Sequence, residues 1–81
     1  MIVKVLFHSY FKALTGCGET SESLDEGAQL GELLKKLRTR FPKLVPMQRS
    51  TLVAVGVEYQ GPDYMLREGD EVSLFPPVQG G

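Results

Sequence analysis

Two rhythms of hydrophobic and polar positions run along this chain. Ile2 to Phe7 is apolar except for Lys4, and its valine and isoleucine content predicts a strand with Val3, Val5 and Phe7 on one face. Ser9 then stands as a candidate N-cap for one or two helical turns over Tyr10–Thr15, which Gly16 and Gly18 close. Glu19 to Leu24 is mostly polar and reads as an exposed edge strand, followed by a turn at Asp25-Glu26-Gly27. The rhythm changes at Leu30. Leu30, Leu33, Leu34, Leu37 and Phe41 recur at helical spacing and define one buried stripe on a long helix ending before Pro42. Gln29 is a poor cap for it, although Glu32 suits the first turn. Lys43 to Ser50, with Pro46 inside, reads as a loop. Thr51 to Tyr59 predicts a further strand, apolar on both faces in its first half and so central in a sheet. Turns at Gly61-Pro62-Asp63 and Arg67-Glu68-Gly69-Asp70 flank a connector over Tyr64–Leu66 and lead to a last strand, Glu71–Phe75. The economical assembly is α+β: one long helix packed across a mixed four- to five-stranded sheet.

The pattern breaks after Phe75. Pro76-Pro77-Val78-Gln79-Gly80-Gly81 holds two prolines, which favour an extended path and deny it a ladder partner. We therefore divide the chain into a folded domain over 1–75 and a flexible tail over 76–81. A carboxylate becomes an acyl donor only after conversion to an adenylate or thioester. A slender glycine end on an extended stalk lets an enzyme reach that carboxylate inside a narrow site. On this reading the reactive group is the α-carboxyl of Gly81, and no side chain serves as nucleophile. A frayed terminus is the plain alternative.

Composition narrows the partners. With 81 residues the chain is one small domain burying roughly 60% of its unfolded surface, which leaves little room for a deep active site. Nine Lys and Arg against ten Asp and Glu give no basic excess, so a nucleic-acid partner is not expected. No apolar run approaches the roughly 18 residues of a membrane span, and the start turns polar too soon for a signal peptide. A cytoplasmic location is the expectation. Cys17, the one cysteine, lies between two glycines and reads as a loop thiol rather than a persulfide carrier. His8 at a strand end has no triad companions nearby in sequence. Glu19, Glu22, Asp25 and Glu26 read as a solvated edge, and Lys35, Lys36, Arg38 and Arg40 as a wet helix face.

The run Gly69-Asp70-Glu71-Val72-Ser73-Leu74-Phe75-Pro76-Pro77-Val78-Gln79-Gly80-Gly81 resembles the ending of the small subunit of molybdopterin synthase, the MoaD family. Val3–Phe7, Leu14, Gly16, Gly27–Leu34 and Val53–Val55 extend the likeness over essentially the whole chain. The resemblance implies a β-grasp, ubiquitin-like fold and a sulfur-carrier role in molybdenum cofactor biosynthesis. It implies that a ubiquitin-activating-like, MoeB-like enzyme uses ATP (with Mg) to adenylate Gly81, and that a persulfide donor converts it to a thiocarboxylate. A MoaE-like large subunit, in a heterotetramer, would then pass the sulfur to cyclic pyranopterin monophosphate. No cofactor or metal bound to this chain is implied, and no catalysis by the chain alone.

Carried over by position, Gly81 is the acyl residue and Gly80 leaves it unobstructed. Phe75, Pro76, Pro77, Val78 and Gln79 would line the partner channel, and Tyr59 would join the docking surface. Phe75 also fits the role of a last core residue. Two positions depart from the family pattern: Gly56 stands where a turn Asn is usual, and Gln79 where a small residue is common. Carriers for thiazole, amino-acid or tRNA thiolation, a ubiquitin-like protein modifier and a plain interaction domain are the alternatives. The Pro-Pro pair argues against the thiazole carrier.

Overall fold

The computed structural model describes residues 1–77. Five strands, β1 (Ile2–Phe7), β2 (Glu19–Ser23), β3 (Leu52–Val55), β4 (Glu58–Tyr59) and β5 (Glu71–Phe75), form one sheet in the order β2-β1-β5-β3-β4. The first and last strands lie side by side in parallel at its centre, and the other pairings are antiparallel. A five-residue helix, α1 (Phe11–Thr15), follows β1, and the main helix, α2 (Leu30–Arg40), crosses one face of the sheet. The mixed sheet and its covering helix match the expected α+β class. At 11 residues, however, α2 has ordinary length and is not long.

Register explains the core. Val5 lies opposite Val72, which lies opposite Val55; Phe7 lies opposite Leu74, which lies opposite Val53. Successive strand residues alternate between faces, so these two rows point together at Leu30, Leu33 and Leu37 of α2. Leu34 and Phe41, at the flanks of the stripe, are only partly buried, and the Phe41 ring meets Phe7 edge-on at 5.4 Å. The start of α2 is better satisfied than Gln29 alone suggests. The Glu32 carboxylate accepts the Gln29 N–H at 2.7 Å, and the Tyr64 and Pro62 carbonyls accept the Leu30 and Gly31 N–H groups at 2.8 and 2.9 Å. Gly31 permits this approach, since a Cβ there would stand 3.3 Å from the Pro62 ring.

Four further sequence expectations are corrected. Thr51–Tyr59 is not one strand but the hairpin β3–β4, because Gly56 adopts φ +63° and turns the chain. Lys43–Ser50 is not wholly a loop, since Pro42–Met47 winds into 3₁₀ turns that the fixed φ of proline suits. Ser9 is not the cap of α1. It sits at φ +56°, Tyr10 takes the cap position without a side-chain bond, and the helix begins at Phe11.

The fourth correction concerns charge. Glu22 is buried, because it lies opposite Val3 and so faces α2. Arg40 Nη1 donates to its carboxylate at 2.8 Å and Lys36 Nζ stands 4.0 Å away. The same two cations donate to the Ser21 and Ser23 carbonyls. What read as a wet face and a solvated edge thus clamps α2 to the outer rim of β2, occupying carbonyls that would otherwise invite another strand.

Candidate docking face and tail root

Opposite α2 the sheet is uncovered. This open face is built from the alternate residues: Leu6 beside Ser73 and Ala54, then Leu52 beside Phe75, with Tyr59 directly across from Ala54. Ser73 and Ala54 are small and hidden by their neighbours, whereas Leu52 is 37% and Tyr59 69% exposed. Polar groups gather on the other half, where Lys4 and Glu19 pair loosely at 3.9 Å.

The tail leaves the domain from the apolar half. Phe75, the last residue of β5, is half-buried, and its ring stacks on His8 with centroids 4.3 Å apart and planes within 11°. Pro76 and Pro77 follow and, with Phe75, Leu52, Tyr59 and Tyr10, line a groove of about 390 Å³. Ser9 completes the described lining, so among the described residues no carboxylate, ammonium or guanidinium group borders the groove. Such a surface offers flat aromatic and proline contacts to another protein, with Ser9, Tyr10 and Tyr59 as its polar side chains. Among the described residues no group of three or more His, Cys, Asp or Glu is placed to hold a metal. No described helix is long and apolar enough to cross a membrane.

Of the residues named from sequence, the structure brings Phe75, Pro76, Pro77 and Tyr59 to one groove. Val78, Gln79, Gly80 and Gly81 lie outside the described residues. Phe75 belongs to the open face rather than to the core beneath α2: Leu74 faces the helix, and the Phe75 ring lines the groove. Leu52, Tyr10 and His8 were not singled out as docking residues. Leu52 is placed by the β3–β5 register, and Tyr10 and His8 by the turn at Ser9. The alternation of Leu52 with Val53 was the available signal. Cys17 is half-buried, 3.8 Å from the Thr15 hydroxyl, and away from the groove lining.

A parallel pair of first and last strands and a helix across one face of a mixed sheet define a ubiquitin-like β-grasp domain. The chain belongs to the ThiS family, whose model matches residues 5–81. It is 31% identical to the molybdopterin synthase sulfur carrier subunit of Chlamydomonas reinhardtii, covering 100% of both chains. A Pyrococcus furiosus structure assigned as subunit 1 of a molybdopterin converting factor superposes with a TM-score of 0.89 at 30% identity, covering 96% of this chain and 99% of that one. Subunit 1 in a Helicobacter pylori complex of molybdopterin-converting factor subunits 1 and 2 shares the fold, with a TM-score of 0.73 at 23% identity and full coverage of both chains. The small-subunit resemblance and the β-grasp fold expected from sequence both hold.

Proposed function

We propose that this chain is the sulfur carrier of molybdopterin synthesis, a non-catalytic small subunit that works through its own C-terminus in the cytoplasm. One observation carries the reading. The Pro-Pro-Val-Gln-Gly-Gly run follows directly from a strand whose final side chain sits in an apolar groove, on a chain related over its whole length to named sulfur carrier subunits.

The chemistry belongs to the Gly81 carboxylate. An unactivated carboxylate resists nucleophiles because its negative charge is delocalised over both oxygens. A MoeB-like partner spends ATP, with Mg, to form the acyl adenylate, and AMP then becomes the leaving group. The outer sulfur of a persulfide donor displaces AMP to form an acyl disulfide. A second thiol of the donor then attacks the S–S bond, releasing the thiocarboxylate and leaving the donor as a disulfide. Gly80 and Gly81 present no Cβ beside the reacting carbon, and Val78 and Gln79 thread the channel behind them. The groove formed by Phe75, Pro76, Pro77 and Tyr59 docks the domain on a MoaE-like large subunit, in a heterotetramer, where the sulfur passes to cyclic pyranopterin monophosphate. Binding energy from the folded body thereby orients a glycine end that carries no side chains to bind with. The chain itself holds no cofactor in this scheme.

The test is intact mass. After incubation with ATP, the activating enzyme and a sulfur source, the full chain gains the mass of one oxygen-to-sulfur exchange. Deleting Gly81 eliminates that gain while the thermal midpoint stays unchanged. Formation of the exchanged species without Gly81 refutes the mechanism. Adducts on lysines that survive thiol reagents would instead indicate a protein modifier.

A further inference from the structure

At the corner between β1 and α1, beside the groove, two departures from relaxed protein structure meet. Ser9 is the non-glycine residue with positive φ among the described residues, at +56°. A side chain in that region strains the backbone unless the surroundings enforce it, and such strain concentrates at functional sites. Next to it, His8 Nε2 is buried without a hydrogen-bond partner among the described residues. Buried polar atoms are nearly always paired, so an orphan calls for an explanation. The fold supplies one half of it. The His8 N–H holds the Leu74 carbonyl at 3.1 Å and its ring carries Phe75, so His8 is fixed to the strand end from which the tail departs. Stacking alone does not account for the nitrogen, because phenylalanine would stack as well without burying a polar atom.

We propose that His8 is a positioning residue whose Nε2 is held in reserve for the docked large subunit. A half-turn about Cβ–Cγ leaves the ring plane, and hence the Phe75 stack, in place while moving Nε2 to the opposite edge of the ring. A hydrogen-bonding group of the large subunit takes up the nitrogen there, and the stack transmits that contact to the tail root. The orphan is then satisfied in the complex alone, which favours the docked state over the free one. This inference rests on the carrier reading above.

His8 is the only histidine of the chain, so its imidazole nitrogens give unambiguous long-range ¹H–¹⁵N NMR signals. In the free carrier Nε2 resonates as a nitrogen without a hydrogen bond, and addition of the MoaE-like subunit moves it to a hydrogen-bonded position. His8→Phe keeps the stack and a thermal midpoint at or above wild type, yet binds the large subunit about three- to tenfold more weakly, the loss of one hydrogen bond. His8→Gln, with an amide that reaches the Nε2 position, recovers part of that affinity. The proposal is overturned by an Nε2 signal unchanged in a complex that does form, by a free-state signal already hydrogen-bonded to trapped water, or by wild-type affinity in His8→Phe. Failure of the wild-type chain to bind the subunit at all would instead bring down the carrier reading, and this inference with it.

Discussion

The two faces of the sheet differ: one is covered and apolar save for Glu22, whereas the other is open and apolar over only one half. On the face beneath α2, Val3, Val5, Phe7, Val72 and Leu74 are at most 3% exposed, locked against Leu30, Leu33 and Leu37. On the other face Leu52 and Tyr59 remain open, and Leu6, His8 and Phe75 are half-covered. Each strand contributes to both, because neighbouring residues point in opposite directions. Burial under the helix is what holds a domain of this size together, each fully buried aliphatic side chain adding roughly 1.5–3 kcal/mol before entropy is counted. The open face contributes little to that sum and is available for recognition. Burial and exposure are therefore separated by parity along the same strands, and so, on the proposed reading, are stability and docking.

Substitutions test this separation directly. Leu37→Ala should cost about 2–5 kcal/mol, a large share of what so small a domain has, and urea unfolding should record it. Sulfur loading should then fall only as far as the folded fraction falls. Tyr59→Ala should reverse the pattern. Its unfolding free energy should stay within about 0.5 kcal/mol of wild type, while calorimetric affinity for the large subunit drops by about 2 kcal/mol, roughly thirtyfold. Unfolding by Tyr59→Ala, with undiminished binding by what remains folded, would break the comparison.

The smallest effect belongs to the rim. Arg40→Ala removes the 2.8 Å partner of the buried Glu22, but the arginine is half exposed, so about 1 kcal/mol is expected. Light scattering on the same variant should show increased self-association, because the Ser21 carbonyl loses its cap. A monodisperse Arg40→Ala would show that this contact is not what guards the edge.

Sequence periodicity made the covered face legible and left most of the open face unread. The leucine spacing located α2, and the valine alternation located β1, because both report a single buried side. Glu22 was misread since a polar strand looks solvated until its register places one residue under a helix. Thr51–Tyr59 looked continuous because Val55 and Val57 preserve the alternation across Gly56, whose turn is a matter of φ rather than hydrophobicity. Phe75 and the prolines were found through their resemblance to a family ending, and Tyr59 likewise. Leu52, Tyr10 and His8 join them only through strand register and a strained turn, which no local pattern encodes. A groove made from separate segments has no signature in any one of them.

Semisynthesis offers the most direct measurement of the central claim, that the body recognises and the end reacts. A carrier bearing a thiocarboxylate installed at Gly81 is mixed with the MoaE-like subunit and cyclic pyranopterin monophosphate, without ATP or activating enzyme. Dithiolene should form as the carrier returns to its carboxylate mass, one sulfur delivered per chain consumed. A carrier that binds the subunit yet keeps its sulfur, with no dithiolene formed, would contradict the account.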